Sequence, residues 1–224
     1  MFRDQQAIFE FRGPWGVPVR IGSSILLMFL LFLSTTGSAT DLLYDLAFIA
    51  MLIGSVFLHE MGHAWGALVQ RIPVRSVTIH GFGGYCQQAR AATPRESELI
   101  VAMGPIVTLT LWAVSRLVAN AMWGAGREYD HVLWFFETMA WLNGYLAIFN
   151  LLPIAPLDGG KLFELILLRF MRGTTAAKVT GYVGIAGLAL MIPYLVLGMH
   201  MYIFVLFFVP AILENWNRMR GQVY

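Results

Sequence analysis

The sequence has few charged residues and almost no cysteine. Charged side chains make up 12% of its 224 residues, whereas a soluble domain carries about a quarter. Cys86 is the only cysteine, which excludes an intramolecular disulfide and a zinc site built on thiolates. The net charge of +2 gives no indication of nucleic-acid binding. Water is therefore not the main solvent of this chain, and any metal must be bound by His, Asp or Glu.

Long apolar runs take the place of the missing charge. Apolar residues account for 58% of the chain, and no polar linker or repeat divides it, so we expect one membrane-embedded domain over residues 1–224. A helix needs about 20 apolar residues to cross about 30 Å of hydrocarbon. Six segments meet or approach this length: 21–35, 43–69, 99–122, 132–152, 180–197 and 199–213. The predicted fold class is an all-α polytopic membrane protein with about six transmembrane helices.

The segments at the two ends need interpretation. The last two are short, and a break at Gly198 predicts a C-terminal helical hairpin over about 179–213, after a catalytic core of about 21–170. The first segment could be a signal peptide, because the small residues 37–39 resemble a cleavage site. Its leader is long and carries acidic residues, which is atypical of a signal peptide. We therefore expect a retained helix.

Basic residues are concentrated in alternate loops. By the positive-inside rule, this pattern predicts a multi-pass protein of the plasma (inner) membrane with both termini in the cytoplasm. The basic positions lie before the first segment, between the second and third, after the fourth and at the C-terminus: Arg3, Arg12, Arg20, Arg71, Arg75, Arg90, Arg95, Lys161, Arg169, Arg172, Lys178, Arg218 and Arg220.

The second segment contains the sequence His59-Glu60-Met61-Gly62-His63. Histidines at i and i+4 project from one face of a helix, so His59 and His63 can meet at one metal ion. Glu60 lies beside them, where it can take a proton from a zinc-activated water. Two histidines and a glutamate in one apolar turn are costly inside a bilayer unless they have a function. The motif therefore predicts one Zn²⁺ per chain.

A zinc hydrolase usually has a third protein ligand. The position of a third histidine in the extended HExxHxxGxxH motif is Val69. The best candidate is Asp158, in the segment NLLPIAPLDGG at residues 150–160, where prolines and glycines end a helix near the membrane boundary. Glu164 is a rival ligand. Gly62 and Gly66 form a small-xxx-small pair, which indicates a close helix-packing surface.

Residues 74–86 interrupt the helical pattern. The segment is β-branched and alternating at first and rich in glycine at its end, which predicts a β-hairpin or re-entrant strand and turn after the second span. A substrate helix must unwind before it is cleaved, and its freed backbone groups then need partners. We therefore expect the edge at Val77, Thr78 and Ile79, with Gly83 and Gly84, to bind substrate by β-augmentation. An ordinary surface hairpin is the alternative.

Taken together, these motifs resemble the site-2 protease family of intramembrane zinc metalloproteases. HEMGH in one span and NLLPIAPLDGG after another carry the resemblance, which covers most of residues 15–170. Smaller matches are Gly81-Phe82-Gly83-Gly84, Gly104-Pro105, and Asn143 before Asn150. The resemblance implies that His59, His63 and Asp158 bind zinc and that Glu60 is the catalytic base and acid. It also implies that Asn150 helps to hold the oxyanion or substrate, and it suggests Asn143 as a substrate-binding residue.

The function expected from this resemblance is hydrolysis of a peptide bond in a transmembrane or membrane-associated protein, as in regulated intramembrane proteolysis. The expected partners are the lipid bilayer and a transmembrane substrate, such as an anti-sigma factor or a membrane-tethered regulator. The chain has no room for a PDZ domain or a CBS pair, so a minimal form is expected. A zinc transporter or channel, or a catalytically idle homologue that binds membrane proteins, are the alternatives. Neither would require a glutamate in the position of Glu60.

Overall fold

A computed structural model of the chain describes residues 7–33, 37–124, 126, 129–198 and 205–222. The chain forms two compact units, residues 2–147 and residues 148–224. The first unit contains four strands and most of the long apolar helices, and the second contains the segment with Asp158 and the C-terminal helices.

The helices of the first unit include two that begin at a side-chain cap. Their bounds are α1 Leu26–Phe32, α2 Ala39–Leu68, α3 Pro94–Met122 and α4 Asp130–Asn150, the last of which continues into the second unit. Helix α2 starts at a capping box of Ser38 and Asp41, and α3 starts at one of Thr93 and Glu96. Both side chains of each box satisfy backbone N–H groups that the first helical turn leaves unpaired.

The second unit is helical. Its helices are α5 Asp158–Leu167, α6 Gly173–Pro193, which a π-helical turn extends over Tyr194–Gly198, and α7 Val205–Met219. Helices α6 and α7 pack closely, because a Cβ at Gly181 would lie 2.7 Å from the Asn215 carbonyl oxygen. The predicted break of the C-terminal hairpin, Gly198, is the last residue of this π-helical turn, and residues 199–204 that follow it lie outside the described residues.

Within the described residues, four helices are long and apolar enough to cross a membrane: Ala39–Leu68, Pro94–Met122, Asp130–Asn150 and Gly173–Gly198. The prediction of a spanning helix at residues 21–35 is not confirmed over the described part of this segment, 21–33. Strand β2 extends to Gly22, and the apolar helix that follows covers only Ser23–Phe32. Ten residues rise about 15 Å, half of the hydrocarbon thickness. A short apolar run does not by itself distinguish a strand from a helix.

A four-stranded sheet lies in the first unit. Its strands are β1 Ala7–Arg12, β2 Pro18–Gly22, β3 Val74–His80 and β4 Gly83–Gln88, in the order β1-β2-β3-β4. Strands β3 and β4 are antiparallel, as the pattern of residues 74–86 predicts, and β2 pairs with β3 in parallel. The pairing of the N-terminal segment with this sheet was not predicted from the sequence.

The position of β3 inside this sheet corrects one predicted site. Val77, Thr78 and Ile79 pair with β2 on one side and with β4 on the other. Their side chains are buried as well, with 0%, 2% and 0% exposure. These residues therefore offer no backbone edge to a substrate. The edge strands of the sheet are β1 and β4.

The core of the first unit lies between the sheet and α2. Val77 and Ile79 of β3 pack with Val56, Met61 and further apolar residues of α2. On another side of α2, the two glycines Gly62 and Gly66 contact α3. A Cβ at Gly62 would lie 2.7 Å from the Met103 carbonyl oxygen, so this contact requires the absence of a side chain. Helix α2 is thus held between the sheet and α3.

Candidate metal centre

The HExxH turn lies in the buried part of α2. His59, Glu60 and His63 are 6%, 6% and 7% exposed, and their ligand atoms all lie within 4.8 Å of one another. The two Nε2 atoms of the histidines are 3.1 Å apart. Two nitrogens bound to one tetrahedral zinc at about 2.0–2.1 Å lie about 3.3 Å apart. The structure therefore brings these three predicted residues together at metal-binding distances.

Helix α3 fixes the orientation of both imidazole rings. The Nδ1 atom of His59 is 2.8 Å from the Thr108 hydroxyl oxygen, and the Nδ1 atom of His63 is 2.7 Å from the Ile100 carbonyl oxygen. The Thr108 hydroxyl donates its one hydrogen to the Gly104 carbonyl oxygen at 3.1 Å, so it accepts from His59. A carbonyl oxygen can only accept. Both rings therefore carry hydrogen on Nδ1, and in their neutral form the lone pair is on Nε2.

This assignment shows that the donor set fits a metal ion. The two Nε2 atoms are 3.1 Å apart, so in the neutral tautomers their lone pairs face each other and repel unless a proton or a metal ion lies between them. Neutral imidazoles with a hydrogen-bonded Nδ1 are the common state of zinc-binding histidines. The residues present thus suit a nitrogen- and oxygen-ligated divalent ion, for which zinc is a common choice.

Gly104 leaves the space that the two rings occupy. A Cβ at this position would lie 2.7 Å from the Nε2 atom of His59 and would overlap the ring of His63. Alanine at position 104 therefore cannot be accommodated without displacing both imidazoles. Gly104 precedes Pro105, and both residues are buried in α3. This pair is part of the resemblance described above, and the close approach of the rings explains why position 104 is a glycine.

Glu60 contacts the β4 strand. A Cβ at Gly84 would lie 2.6 Å from Cγ of Glu60, so only glycine lets the strand approach this carboxylate so closely. Gly83, the preceding residue, has φ +123°, a backbone conformation that favours glycine. Gly83 is therefore required for its backbone conformation, and Gly84 for the space that Glu60 occupies.

Asp158 is the first residue of α5 in the second unit. The residue is 4% exposed, and the Lys161 ammonium group lies 3.2 Å from one of its carboxylate oxygens. The start of a helix also favours a negative charge. The rival ligand Glu164 instead forms an ion pair with Arg218, which also contacts Glu214 at 3.2 Å. Both carboxylates thus have a cationic partner, but the side chain of Asp158 is more buried, at 5% exposure against 19% for Glu164.

Helix α7 holds the loop that precedes Asp158. Asn215 is fully buried, and its side-chain amide donates to the Ala155 carbonyl oxygen at 2.6 Å and accepts from the Ala155 N–H at 3.3 Å. One side chain thus satisfies both backbone groups of a loop residue. Sequence reasoning missed Asn215, because its partner lies 60 positions earlier in the chain.

The two predicted asparagines differ in their surroundings. Asn143 is fully buried in α4 and donates to the Ser55 hydroxyl at 3.0 Å and to the Met139 carbonyl oxygen at 2.9 Å. Its Oδ1 atom is buried and has no hydrogen-bond partner among the residues that the structure describes. Asn150 is the last residue of α4 and is partly buried.

Thr108 was missed by sequence reasoning, since a threonine in an apolar helix carries no signal of its own.

Comparisons with known proteins agree with this arrangement. A model of Peptidase family M50 matches residues 47–129 and 124–194. Rip3 of Mycobacterium tuberculosis is 37% identical over 122 residues, which cover 53% of this chain and 30% of Rip3. The zinc metalloprotease MJ0392 of Methanocaldococcus jannaschii is 24% identical over 170 residues, which cover 75% of this chain and 48% of MJ0392. The chain thus spans less than half the length of these curated relatives.

The fold has a counterpart among solved structures. The site-2 protease from Methanocaldococcus jannaschii superposes with a TM-score of 0.64 at 18% sequence identity, over 96% of this chain and 95% of that one. The family match includes the HExxH turn, Gly104-Pro105 and the loop that leads to Asp158. The chain belongs to peptidase family M50, the site-2 protease family of zinc metalloproteases.

Proposed function

We propose that the chain is a zinc endopeptidase that hydrolyses a peptide bond of a transmembrane or membrane-associated protein at the membrane. One observation carries this proposal: two histidines with facing Nε2 lone pairs and a glutamate are buried together in a helix that is long and apolar enough to cross a bilayer. Intramembrane ionisable groups are rare unless they act on a substrate or an ion.

His59, His63 and Asp158 are the proposed ligands of one zinc ion. The Nδ1 partners of the histidines support the first two, and the burial of Asp158 supports the third. Glu164 is less suited, because its side chain is less buried. When bound, zinc lowers the pKa of a water and polarises the carbonyl of the peptide bond.

Glu60 is the proposed general base and acid. It is buried one residue from His59, and Gly84 packs directly against it, so its carboxylate is confined beside the histidines. It takes a proton from the attacking water and passes it to the leaving amine. Asn150 is proposed to donate to the developing oxyanion or to the substrate backbone, and Asn143 to support substrate binding.

The proposed substrate edge is β4, with Gly83 and Gly84 at its start. Strand β4 pairs with β3 on one side, and within the described residues no strand pairs with its other side. The contact of Gly84 with Glu60 puts this strand beside the proposed base. An unwound substrate segment that pairs with β4 satisfies its backbone groups in apolar surroundings.

We further propose a multi-pass protein of the plasma membrane with cytoplasmic termini, whose helices α6 and α7 form the predicted C-terminal hairpin. Alternating basic loops support this orientation. The proposed substrates are membrane-tethered regulators, such as anti-sigma factors, cut in regulated intramembrane proteolysis. The resemblance of the HExxH and NLLPIAPLDGG segments supports this substrate class.

Cleavage by purified protein tests the function. Wild type in proteoliposomes, with a panel of single-span proteins that contain helix-breaking residues, is expected to cut at least one of them. A zinc chelator should abolish cleavage, and added zinc should restore it. Glu60→Gln should lose about 10²–10⁴-fold in rate, because no base remains, yet keep one zinc per chain.

The matched control is Glu98→Gln, which removes a carboxylate from α3 in the same way and should cleave like wild type. Near-normal turnover of Glu60→Gln, or cleavage that ignores the chelator, would contradict the proposed function.

A further inference from the structure

Helix α3 presents a buried hydroxyl to the metal-binding turn. Thr108 is fully buried, lies one turn after Gly104, and its Oγ1 atom is 2.8 Å from Nδ1 of His59. A threonine in an apolar helix commonly bonds to the carbonyl oxygen four residues earlier, and Thr108 does so at Gly104. The second contact, to His59, is not needed for the helix.

The hydroxyl of Thr108 has a single hydrogen. That hydrogen is donated to the Gly104 carbonyl oxygen, so the remaining capacity of the hydroxyl oxygen is to accept. It therefore selects the form of His59 that carries hydrogen on Nδ1 and leaves the lone pair on Nε2. The bond also stops the ring from rotating about its Cβ–Cγ bond, which would direct Nε2 away from His63.

The two histidines differ in what holds them. The acceptor for His63 is the backbone carbonyl oxygen of Ile100, which no substitution removes. The acceptor for His59 is a side chain. Of the two Nδ1 contacts, only the one to His59 therefore depends on the identity of a side chain.

We propose that Thr108 is a positioning residue for the metal centre: its hydroxyl fixes the tautomer and the rotation of His59 and thereby sets the affinity of the site for zinc. The inference rests on the proposed zinc site. Loss of a partner that orients a metal-binding histidine costs about 10–100-fold in metal affinity.

The chain offers a matched set of variants. Thr108→Val keeps the shape of the side chain and removes the acceptor, whereas Thr108→Ser keeps the hydroxyl and removes a methyl group. Thr110 makes the same type of bond, to the Ile106 carbonyl oxygen at 2.8 Å, but it is exposed. Thr110→Val therefore reports the cost of losing such a bond in α3 without an effect on His59.

Zinc affinity, measured on purified metal-free protein by competition with a chromogenic chelator, tests the inference. Thr108→Val should bind zinc about 10–100-fold more weakly than wild type, while Thr108→Ser and Thr110→Val stay close to wild type. Cobalt-loaded Thr108→Val should also show an altered visible absorption spectrum, which a loss of packing away from the site does not produce. Thermal unfolding of the metal-free variants checks that the fold is kept.

Wild-type affinity in Thr108→Val would overturn the inference, and so would an equal loss in Thr108→Ser or Thr110→Val. A wild type that binds zinc but cuts no substrate would overturn the proposed function alone, because the comparison of zinc affinities still decides the role of Thr108. A wild type that binds no zinc would overturn both.

Discussion

Among the described carboxylates, Glu60 and Asp158 are the two that are almost fully buried, at 6% and 4% exposure. An ionised carboxylate in apolar surroundings is strongly unfavourable unless a cation compensates it. Glu60 lies beside the two facing Nε2 lone pairs, and Asp158 has Lys161 beside it. At the scale of single residues, the chain thus has two buried carboxylates whose negative charge the proposed zinc ion would offset.

Asp158 and Glu164 can be told apart by metal content. Asp158→Ala should weaken zinc binding by orders of magnitude, because one of three protein ligands is lost. Glu164→Ala should keep its zinc and lose about 1–3 kcal/mol of stability, because it breaks the partly buried pair with Arg218. Metal analysis and thermal unfolding of the two purified variants measure these effects. Full zinc content in Asp158→Ala together with loss in Glu164→Ala would reverse the assignment.

Sequence reasoning identified the residues of the HExxH turn, because helical periodicity alone places His59 and His63 on one face. It could not identify their partners. Thr108 lies 49 positions after His59, and a lone threonine in an apolar helix has no local pattern that distinguishes it. The partner of His63 is the backbone carbonyl oxygen of Ile100. Every residue has such an oxygen, so the sequence does not show which one binds the histidine. The packing of α3 against α2 determines which groups become the partners of the histidines, and no sequence motif indicates that packing.

At the scale of elements, two strands of the sheet were predicted from the sequence and two were not. Strands β3 and β4 were predicted, because β-branched residues and glycines follow each other within one short segment. Strands β1 and β2 were not, since β2 runs directly into an apolar stretch and pairs with a strand more than 50 positions away. That parallel pairing also moved the free edge from β3 to β4.

The edge of β4 can be tested with proline. Single prolines at Tyr85, Cys86 and Gln87 each remove one backbone N–H. Where that N–H faces away from β3, cleavage should fall, because a donor to the substrate is lost, while zinc content stays at one per chain. Prolines at outward-facing positions of β1, the other edge strand, are the matched control and should leave cleavage intact. The proposal fails if all three β4 variants cleave normally, or if the β1 variants lose as much.

At the scale of the whole molecule, the proposed orientation in the membrane depends on the distribution of basic residues. The loop between α2 and α3 carries three arginines and the first turn of α3 a fourth, whereas the segment between α3 and α4 carries one. The positive-inside rule therefore supports the proposed orientation, in which the loop with strands β3 and β4 is on the cytoplasmic side. A proposed substrate edge in that loop implies cleavage in the cytoplasmic half of the bilayer.

Cysteine labelling measures this orientation. In a Cys86→Ser background, two variants each have one thiol at an exposed position. The thiol of Arg95→Cys lies near the start of α3, and that of Tyr129→Cys lies in the loop that follows the end of α3. A membrane-impermeant maleimide should label Arg95→Cys only in inverted vesicles and Tyr129→Cys only in intact cells. The reverse pattern would mean that the orientation is inverted.

The glycine contacts between α2 and α3 have a consequence for the membrane. These helices have 30 and 29 residues, so each is about 45 Å long, against about 30 Å of hydrocarbon. Such helices tilt to match the bilayer, and they tilt further when it becomes thinner. Because Gly62 and Gly66 lock α2 to the helix that carries Thr108 and Gly104, the two helices tilt together. A change in lipid thickness therefore reorients the histidines and their hydrogen-bond partners as one body and leaves the geometry between them unchanged.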